Sequence, residues 1–193
     1  MTGEQDVAGG QARKLVLVRH AKSAWPDVPD HERPLARRGQ RDAPGVGRWL
    51  RRAGCLPDLV LCSTARRAEQ TWQSAAAQLQ ASPPALPDDR VYRASAAGLL
   101  GLIRLIAPAT RTLLVVGHDP AVPELAFMLA ATAAEGRAAS TGGGLAPSGP
   151  LARMRAKFPT AAVAVLDFTG TWPLLGPGQA RLDQFVTPRD MPS

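Results

Sequence analysis

Short apolar runs alternate along this chain with segments whose composition favours helices and polar loops. The runs at 14–18, 58–62 and 112–116 are rich in leucine and valine, and charged, glycine or small polar residues follow them, which is typical of buried parallel strands. Further strands are predicted near 90–92, at 161–168 and around 181–186, with helices over 37–53, 65–80 and 96–106 and from about 121. This alternation predicts an α/β fold, a three-layer α/β/α sandwich with a mostly parallel central sheet.

The chain is predicted to form one domain over 14–193, preceded by a disordered leader over 1–13. The leader lacks the hydrophobic run of a signal peptide, and no apolar segment approaches the length of a membrane span. Two segments, 24–36 and 135–150, are rich in proline, glycine or polar residues and are predicted to be loops. The second of them could overhang a site at the sheet edge.

Two histidines directly follow two of the predicted strands. His20 comes after Arg19 at the end of the first run, and His118 comes after Gly117 at the end of a later one. Ligands bind outside the carboxyl ends of strands in open α/β sheets, so both histidines are expected where chemistry is usually done. The chain contains 3 histidines in all, and the matching placement of two of them favours a functional role over unrelated surface positions.

A third segment, 59–71, joins an apolar strand to the start of a helix. Ser63 or Thr64 can cap that helix, and the free N–H groups of its first turn can bind an anion. Arg66 and Arg67 stand in the opening turn, where the helix dipole favours acidic residues. This placement is explained if one arginine faces a bound anion. Arg67 is the better candidate, because a solvated side chain is a fair interpretation of Arg66.

Arg19, His20, Arg67 and His118 together suit phosphoryl transfer. One imidazole nitrogen can attack phosphorus and hold the phosphoryl group covalently. Two guanidinium groups can bind the phosphoryl oxygens and stabilise the transition state, while the second histidine adds charge or a hydrogen bond. Since the arginines supply the positive charge, neither a metal ion nor a cofactor is expected.

Three motifs carry a resemblance to a known family. R-H-A-K-S at 19–23, S-T-A-R-R-A-E-Q-T at 63–71 and V-V-G-H-D-P at 115–120 resemble the histidine phosphatase superfamily, in particular its SixA-like phosphohistidine phosphatase branch. The similarity runs in the same order from about Lys14 to near Met191. Additional support comes from R-P-L-A-R-R-G at 33–39, Y-R-A-S at 92–95 and the segment 157–168. The resemblance implies a phosphoglycerate mutase-like fold and a histidine phosphatase domain over 14–193.

The resemblance also implies a role for each matching residue. His20 corresponds to the nucleophile, and Arg19, Arg67 and His118 complete the phosphate pocket. Ser23 matches a hydroxyl position that often contacts phosphate in the family, although a simple turn residue would also explain it. The implied enzyme is a metal-independent phosphatase that works through a phosphohistidine intermediate.

Two positions depart from the family's pattern. Ala21 stands where the superfamily usually has glycine, a change shared by the R-H-A-K-S branch. The acidic residue that many members place after the third strand has no match in 92–95, and Ser95 cannot donate a proton as a carboxylic acid does. A phosphohistidine expels imidazole without that help, so the missing acid favours a phosphoramidate or another activated substrate. Four other side chains could supply a proton, with solvation or capping as the simpler explanation of each: Asp27, Asp30, His31 and Asp119.

Composition and charge narrow the choice of function class. The hydrophobic share of 45% is ordinary, and Cys55 and Cys62 have neither metal-site spacing nor a disulfide pattern, so reduced thiols in a cytoplasmic protein are expected. The net charge of +7 raises nucleic-acid binding as an alternative. No nucleic-acid-binding motif accompanies the arginines of the helix at 37–53, and a solvated basic face that attracts acidic phosphoproteins explains them better.

The predicted function is a protein phosphohistidine phosphatase or a closely related small phosphatase. One alternative within the superfamily is a phosphatase of small phosphate esters or nucleotides; a mutase is disfavoured because the chain is short. Another alternative is a binding module that recognises phosphorylated partners without turnover, although the presence of His20 disfavours it. The expected partner is a phosphorylated protein or small phosphorylated substrate, with neither membrane nor nucleic acid involved.

Overall fold

One sheet forms the centre of the structure, a computed structural model that describes residues 10–80, 83–130 and 149–192. Its six strands within these residues are β1 Ala12–Arg19, β2 Leu59–Ser63, β3 Ala85–Asp88, β4 Thr112–Gly117, β5 Val163–Thr169 and β6 Arg181–Val186. Their order across the sheet is β3-β2-β4-β1-β5-β6. The strands from β3 to β1 run parallel, and β5 and β6 are antiparallel to their neighbours. The sheet is therefore mostly parallel, as predicted.

Helices connect the strands of this sheet. Those of the described residues are α1 Arg37–Arg52, α2 Arg66–Ala76, α3 Asp89–Tyr92, α4 Ala96–Ile103, α5 Ala121–Ala130 and α6 Pro150–Ala156. Short 3₁₀ turns lie at Asp30–Glu32, Trp172–Leu174 and Pro188–Asp190. α1, α2, α4 and α5 lie where the sequence predicts helices, although α2 and α4 each end a few residues early.

The sheet separates two hydrophobic cores. Side chains alternate along a strand, so Leu15 and Leu17 of β1 enter one core and Val16 and Val18 enter the other, all essentially without solvent exposure. Side chains of α4 and α5 complete the first core, and those of α1 and α2 complete the second. This is the predicted three-layer α/β/α sandwich. It explains the uninterrupted apolar runs, because a strand covered on both faces has no position for a polar side chain.

The pairing of β1, β2 and β4 brings three strand ends to one edge of the sheet. In the parallel register, Arg19 lies opposite Gly117, and Cys62 lies opposite Val116. The residues that follow are therefore neighbours, although they are far apart in sequence. His20, Ser63 and His118 meet at this carboxyl edge because the three strands end at the same level.

Two glycines of α1 allow close packing beside this edge. A Cβ atom on Gly47 would overlap the carbonyl oxygen of Ala75 in α2, and one on Gly39 would overlap the carbonyl oxygen of Lys22 in the loop after β1. Helix α1 thus packs directly against the backbone of both segments. It supports the helix that carries Arg67 and the loop that follows His20.

The third strand differs from its prediction. β3 lies ahead of the predicted position at 90–92, and those residues belong to α3. The structure accommodates Pro87 in β3 because β3 is an edge strand of the described sheet, paired on one side with β2. The side chain of Asp88 accepts a hydrogen bond from the backbone N–H of Arg90 and caps α3. Pro87 therefore lies in an edge strand.

The predicted leader and the second predicted loop are only partly described. β1 begins at Ala12, and the buried Arg13 donates hydrogen bonds to the carbonyl oxygens of Gly170 and Thr110, so the leader prediction is wrong for residues 12 and 13. Residues 1–9 lie outside the described residues, as do 135–148 of the loop predicted over 135–150. None of the helices within the described part of the chain is long and apolar enough to cross a membrane.

Candidate active site

A cavity of about 500 Å³ opens at the carboxyl edge of β1 and β4. All five residues predicted for the site line it: Arg19, His20, Ser23, Arg67 and His118. His20 directly follows β1, His118 directly follows β4, and Arg67 lies in the first turn of α2. The structure therefore brings together side chains from three separate parts of the chain, which were predicted from two strand ends and one helix start.

The two imidazole rings lie side by side and are almost fully buried. Their centroids are 4.9 Å apart, with an angle of 55° between the ring planes. Burial is the main cause that lowers the pKa of His20 to about 4; the charges of Arg67 and Arg19 act in the same direction, and the hydrogen bond to a backbone carbonyl opposes them. Burial also lowers the pKa of His118 to about 3, with the neighbouring ring as a second cause. Both imidazoles are neutral at pH 7.

Hydrogen bonds distinguish the two ring nitrogens of His20. Nδ1 lies 2.7 Å from the carbonyl oxygen of Ala21, which can only accept, so Nδ1 carries the proton. Nε2 therefore carries no proton, and it accepts a hydrogen bond from the Nε–H of Arg67 at 3.3 Å. The backbone N–H of Ala21 donates to Thr71 Oγ1, and Thr71 Oγ1 donates to the carbonyl of Arg67. These contacts hold His20 and Ala21 against α2.

Ser63 orients the second histidine. Its Oγ lies 2.7 Å from Nε2 of His118 and accepts a hydrogen bond from the backbone N–H of Ala65. The hydroxyl has one proton and a second acceptor position, so it can donate to Nε2 or accept from it. Nδ1 is buried and has no hydrogen-bond partner among the described groups. It therefore remains available to a ligand oxygen.

The start of α2 differs in detail from its prediction. The N-cap position is Ala65, without a side-chain hydrogen bond, so neither Ser63 nor Thr64 caps the helix. Thr64 Oγ1 instead lies 3.0 Å from Nε2 of His31. Arg66 is exposed and Arg67 is buried, which agrees with the preference for Arg67 as the residue that faces the site.

Asp30 holds Arg67 in place. The Nη1 and Nη2 groups of Arg67 donate to the backbone oxygen and the carboxylate of Asp30 at 2.6 and 2.9 Å. The same carboxylate accepts from Arg33 Nη1 and from the Tyr92 hydroxyl, both at 2.7 Å. The hydrogen bond from Tyr92, followed by those of the two arginines, holds the pKa of Asp30 well below its usual range. Asp30 is thus an ionised carboxylate that joins α2, α3 and the loop after β1.

Arg19 occupies the wall of the cavity beside β4. Its Nη1 donates to the carbonyl oxygen of Phe158 at 2.7 Å, and its Nη2 lies 3.5 Å from the carboxylate of Asp119. Its Nε is buried and has no hydrogen-bond partner among the described groups. The guanidinium is anchored at one end, and an unsatisfied donor remains at the other.

Ser23 lies in the cavity but is already engaged by a second arginine. Its Oγ accepts a hydrogen bond from Arg33 Nη2 at 2.8 Å, and both residues are buried. Arg33 belongs to the quoted R-P-L-A-R-R-G motif, yet the sequence analysis gave it no role at the site. The sequence feature that could have indicated a role for Arg33 was its spacing of three residues from Asp30, which allows the two side chains to pair. Tyr92, which is the one tyrosine of the sequence, was missed in the same way.

The four side chains considered as proton donors have different positions. Asp30 and Asp119 line the cavity; Asp27 and His31 are not among its lining residues. Ser95 does not line the cavity either, and its side chain caps α4 by accepting from the backbone N–H of Gly98. The ionised Asp30 has no proton to donate at neutral pH.

The cavity has the charge that a phosphate group requires. Five cationic side chains and two carboxylates line it: Arg19, Lys22, Arg33, Arg67 and Arg93, with Asp30 and Asp119. With both histidines neutral, the balance is positive, and a bound anion is attracted from solution. Among residues 10–80, 83–130 and 149–192, no group of three or more His, Cys, Asp or Glu side chains is placed to hold a metal ion.

Comparison with known proteins places this chain in a family. Residues 15–90 match the model of the histidine phosphatase superfamily (branch 1). The uncharacterized protein Rv1276c of Mycobacterium tuberculosis is 40% identical over 173 residues, which cover 89% of this chain and 100% of that protein. The chain belongs to the histidine phosphatase superfamily.

Solved structures refine this assignment. The candidate phosphohistidine phosphatase SixA from Nakamurella multipartitia is 34% identical, with a TM-score of 0.77 over 93% of this chain and 98% of that one. Within the superfamily, the chain is SixA-like. The mycobacterial glucosyl-3-phosphoglycerate phosphatase Rv2419c is 16% identical, with a TM-score of 0.60 over 90% of this chain and 98% of that one, and shares the fold.

Proposed function

We propose that this protein hydrolyses protein phosphohistidine, and that His20 carries the phosphoryl group between the two half-reactions. The observation that carries the proposal is the state of His20. Its Nδ1 proton is held by the carbonyl of Ala21, and its unprotonated Nε2 lies beside the guanidinium of Arg67. A neutral imidazole with an unprotonated nitrogen is what attack on phosphorus requires, and the Arg67 N–H that now bonds to Nε2 can turn to the phosphoryl oxygens when substrate binds.

In the first half-reaction, Nε2 of His20 attacks phosphorus, and the bond from phosphorus to the leaving group breaks. Arg19 and Arg67 bind the phosphoryl oxygens and offset the charge that builds up on them. The proposal places the ring proton of His118 on its unpaired Nδ1, which donates to the same oxygens while Nε2 is bonded to Ser63. The carbonyl of Ala21 stabilises the positive charge that His20 acquires when the P–N bond forms.

In the second half-reaction, water attacks the phosphoryl group on the side opposite Nε2. The P–N bond breaks, its electron pair returns to the imidazole of His20, and inorganic phosphate leaves. No redox change takes place and no metal ion is needed, since Arg19 and Arg67 supply the positive charge.

The proposed substrate follows from the leaving group. Ser95 caps α4, and Asp30 is held ionised by Tyr92, Arg33 and Arg67, so neither supplies a proton to an alkoxide. The other carboxylate of the cavity, Asp119, is paired with Arg19 at 3.5 Å. An ester with a poor leaving group would lose the acceleration of about 10²–10⁴ that a general acid provides. Imidazole departs more easily, and phosphohistidine is therefore favoured over alkyl phosphates. The similarity to the SixA candidate from Nakamurella multipartitia supports the same substrate.

The test is to trap the intermediate in the wild type and in two histidine variants. Enzyme mixed with ³²P-labelled phosphohistidine protein in the presence of EDTA is quenched in alkaline SDS after milliseconds. We expect label on the wild type that survives alkali and is lost in acid, and no label on His20→Ala. His31→Ala serves as the matched control, because His31 does not line the cavity.

Three results would contradict the proposal. Full turnover by His20→Ala would exclude the covalent intermediate on this residue. Loss of activity in EDTA that magnesium restores would exclude the metal-independent mechanism. Alkyl phosphates hydrolysed as fast as phosphohistidine would favour a phosphatase of small phosphate esters, the second candidate from the sequence.

A further inference from the structure

Trp25 is an exposed indole at a cavity that is otherwise polar and charged. Its exposed fraction of 77% is the highest among the large hydrophobic side chains of the described residues, and it lines the same cavity as His20. Exposed single apolar residues are common on protein surfaces and by themselves need no explanation. Trp25 differs from such residues because a buried side chain packs against its ring.

A buried arginine supports one face of the indole. The guanidinium carbon of Arg33 lies 3.2 Å from the centroid of the Trp25 ring. The guanidinium also donates to the carbonyl of Ala24 at 2.9 Å, to Asp30 at 2.7 Å and to Ser23 Oγ at 2.8 Å. Each of its three nitrogens therefore has a partner, and the plane on which the indole rests is fixed.

The backbone around Trp25 is fixed as well. Ser23 pairs with Leu35 in an antiparallel bridge, and the N–H of Ala24 donates to the carbonyl of Pro34 at 2.8 Å. The indole is thus ordered in advance of any ligand, which lowers the entropy lost when a ligand binds it. A cation–π contact that only stabilised this loop would explain the face towards Arg33. It would not explain why the indole remains 77% exposed beside the cavity that contains His20.

We propose that the outer face of Trp25 stacks on the imidazole ring of the substrate phosphohistidine. This inference rests on the proposed function and adds a binding surface for the leaving group. The phosphoryl group is held by cations deep in the cavity, and the group attached to it must extend towards the mouth. A planar ring can stack on an indole, whereas the alkyl part of a sugar or glycerate phosphate offers no such surface. Trp25 therefore selects for planar leaving groups.

Two pairs of substrates distinguish the effect of a ring in the leaving group from the effect of the bond that is broken. Phosphohistidine and phosphoramidate both contain a P–N bond, but only the first has a ring. p-Nitrophenyl phosphate and acetyl phosphate are both activated, and again only the first has a ring. The variants are Trp25→Ala, Trp25→Phe and, as the matched control, Leu174→Ala, since Leu174 is 74% exposed and does not line this cavity.

We expect Trp25→Ala to raise KM about threefold to tenfold for phosphohistidine and p-nitrophenyl phosphate, as the loss of one aromatic contact predicts. KM for phosphoramidate and acetyl phosphate, and kcat for all four substrates, should stay unchanged. Trp25→Phe should restore most of the affinity, because it keeps a ring, and Leu174→Ala should resemble the wild type.

An equal loss on all four substrates would overturn the inference, because it would show that Trp25 acts by holding Arg33. Unchanged KM values for both ring-bearing substrates would overturn it too. If the wild type fails to hydrolyse phosphohistidine but cleaves the other three, the proposed substrate is wrong. The aryl and acetyl pair then still decides whether Trp25 binds planar groups.

Discussion

Acidification from pH 7 to pH 5 should destabilise this protein through its two buried histidines. The folded state holds the pKa of His20 at about 4 and that of His118 at about 3, mainly because both rings are buried. In the unfolded chain each ring returns to its ordinary value of 6.5. Between these values the unfolded state binds more protons than the folded state. The free energy of unfolding therefore falls as pH falls below 6.5, and the fall ends only where the folded rings also become charged.

The size of the effect follows from the two pKa values. One pKa unit corresponds to about 1.4 kcal/mol, and integration from pH 7 to pH 5 gives about 2 kcal/mol for each histidine. Neither folded ring takes up much charge above pH 5, so the two contributions add to about 4 kcal/mol. That loss is a large fraction of the roughly 5–15 kcal/mol by which domains are stable. The carboxyl of Asp30, also with a lowered pKa, loses its contribution only below its ordinary value of 3.8, outside this range.

Urea unfolding at pH 7, 6 and 5 measures the change directly. The wild type should lose about 4 kcal/mol over this range, and His20→Gln or His118→Gln should each remove about half of that dependence. NMR of the ring protons provides an independent measurement, in which the His20 signal should stay in its neutral position down to pH 5. The reaction rate should depend on the protonation of His20 as well. We expect kcat/KM to decrease at pH values below about 4, because the proposed mechanism requires a neutral His20.

A stability that is independent of pH between 7 and 5 would refute this account. So would a His20 ring signal that titrates near 6.5, because it would mean that the ring is solvated. Either result would also remove the reason for expecting a neutral nucleophile at acidic pH.

Two further predictions concern the residues that position the site. Asp30→Asn should lower kcat about tenfold or more, because Arg67 loses the carboxylate that orients it, and the loss should appear equally as weaker inhibition by orthovanadate in steady-state assays. Gly47→Ala should lower the free energy of unfolding by about 1–3 kcal/mol, since the added methyl overlaps Ala75; Gly101→Ala, which has open space, is the control in the same urea experiment, and equal effects would contradict the packing argument.

Much of the fold follows from local sequence pattern. A strand buried on both faces must be apolar throughout, so the runs that became β1, β2 and β4 were visible without any knowledge of their partners. The carboxyl ends of parallel strands share one edge, and this rule alone predicted that His20 and His118 would meet. The wrong strand position near 90–92 has a local cause too. Pro87 has no backbone N–H to donate to a neighbouring strand, and only its place at the edge of the sheet allows it to lie in β3.

The supporting residues of the site did not follow from pattern. Asp30 contacts Arg67 and Tyr92, which are 37 and 62 residues away in sequence, and the sequence does not distinguish a solvated loop aspartate from one paired with arginines. Ser63 was predicted as a possible helix cap because it is a serine just before a helix. Its side chain instead contacts His118, because β2 ends beside β4. The hydrophobic periodicity of a sequence does not indicate contacts between polar side chains that are distant in the chain.

The sequence by itself thus predicted the three layers, the edge of the sheet where His20 and His118 meet, and the residues expected to bind phosphate. Apolar runs indicate buried strands, and the carboxyl ends of parallel strands lie at the same edge. Tertiary structure decided the protonation of His20 and His118, the pairing of Asp30 with Arg67, and the exposure of Trp25 above Arg33. These depend on distance and solvent exclusion between segments remote in the chain. The electrostatic state of a side chain is a property of its surroundings, and packing alone supplies those surroundings.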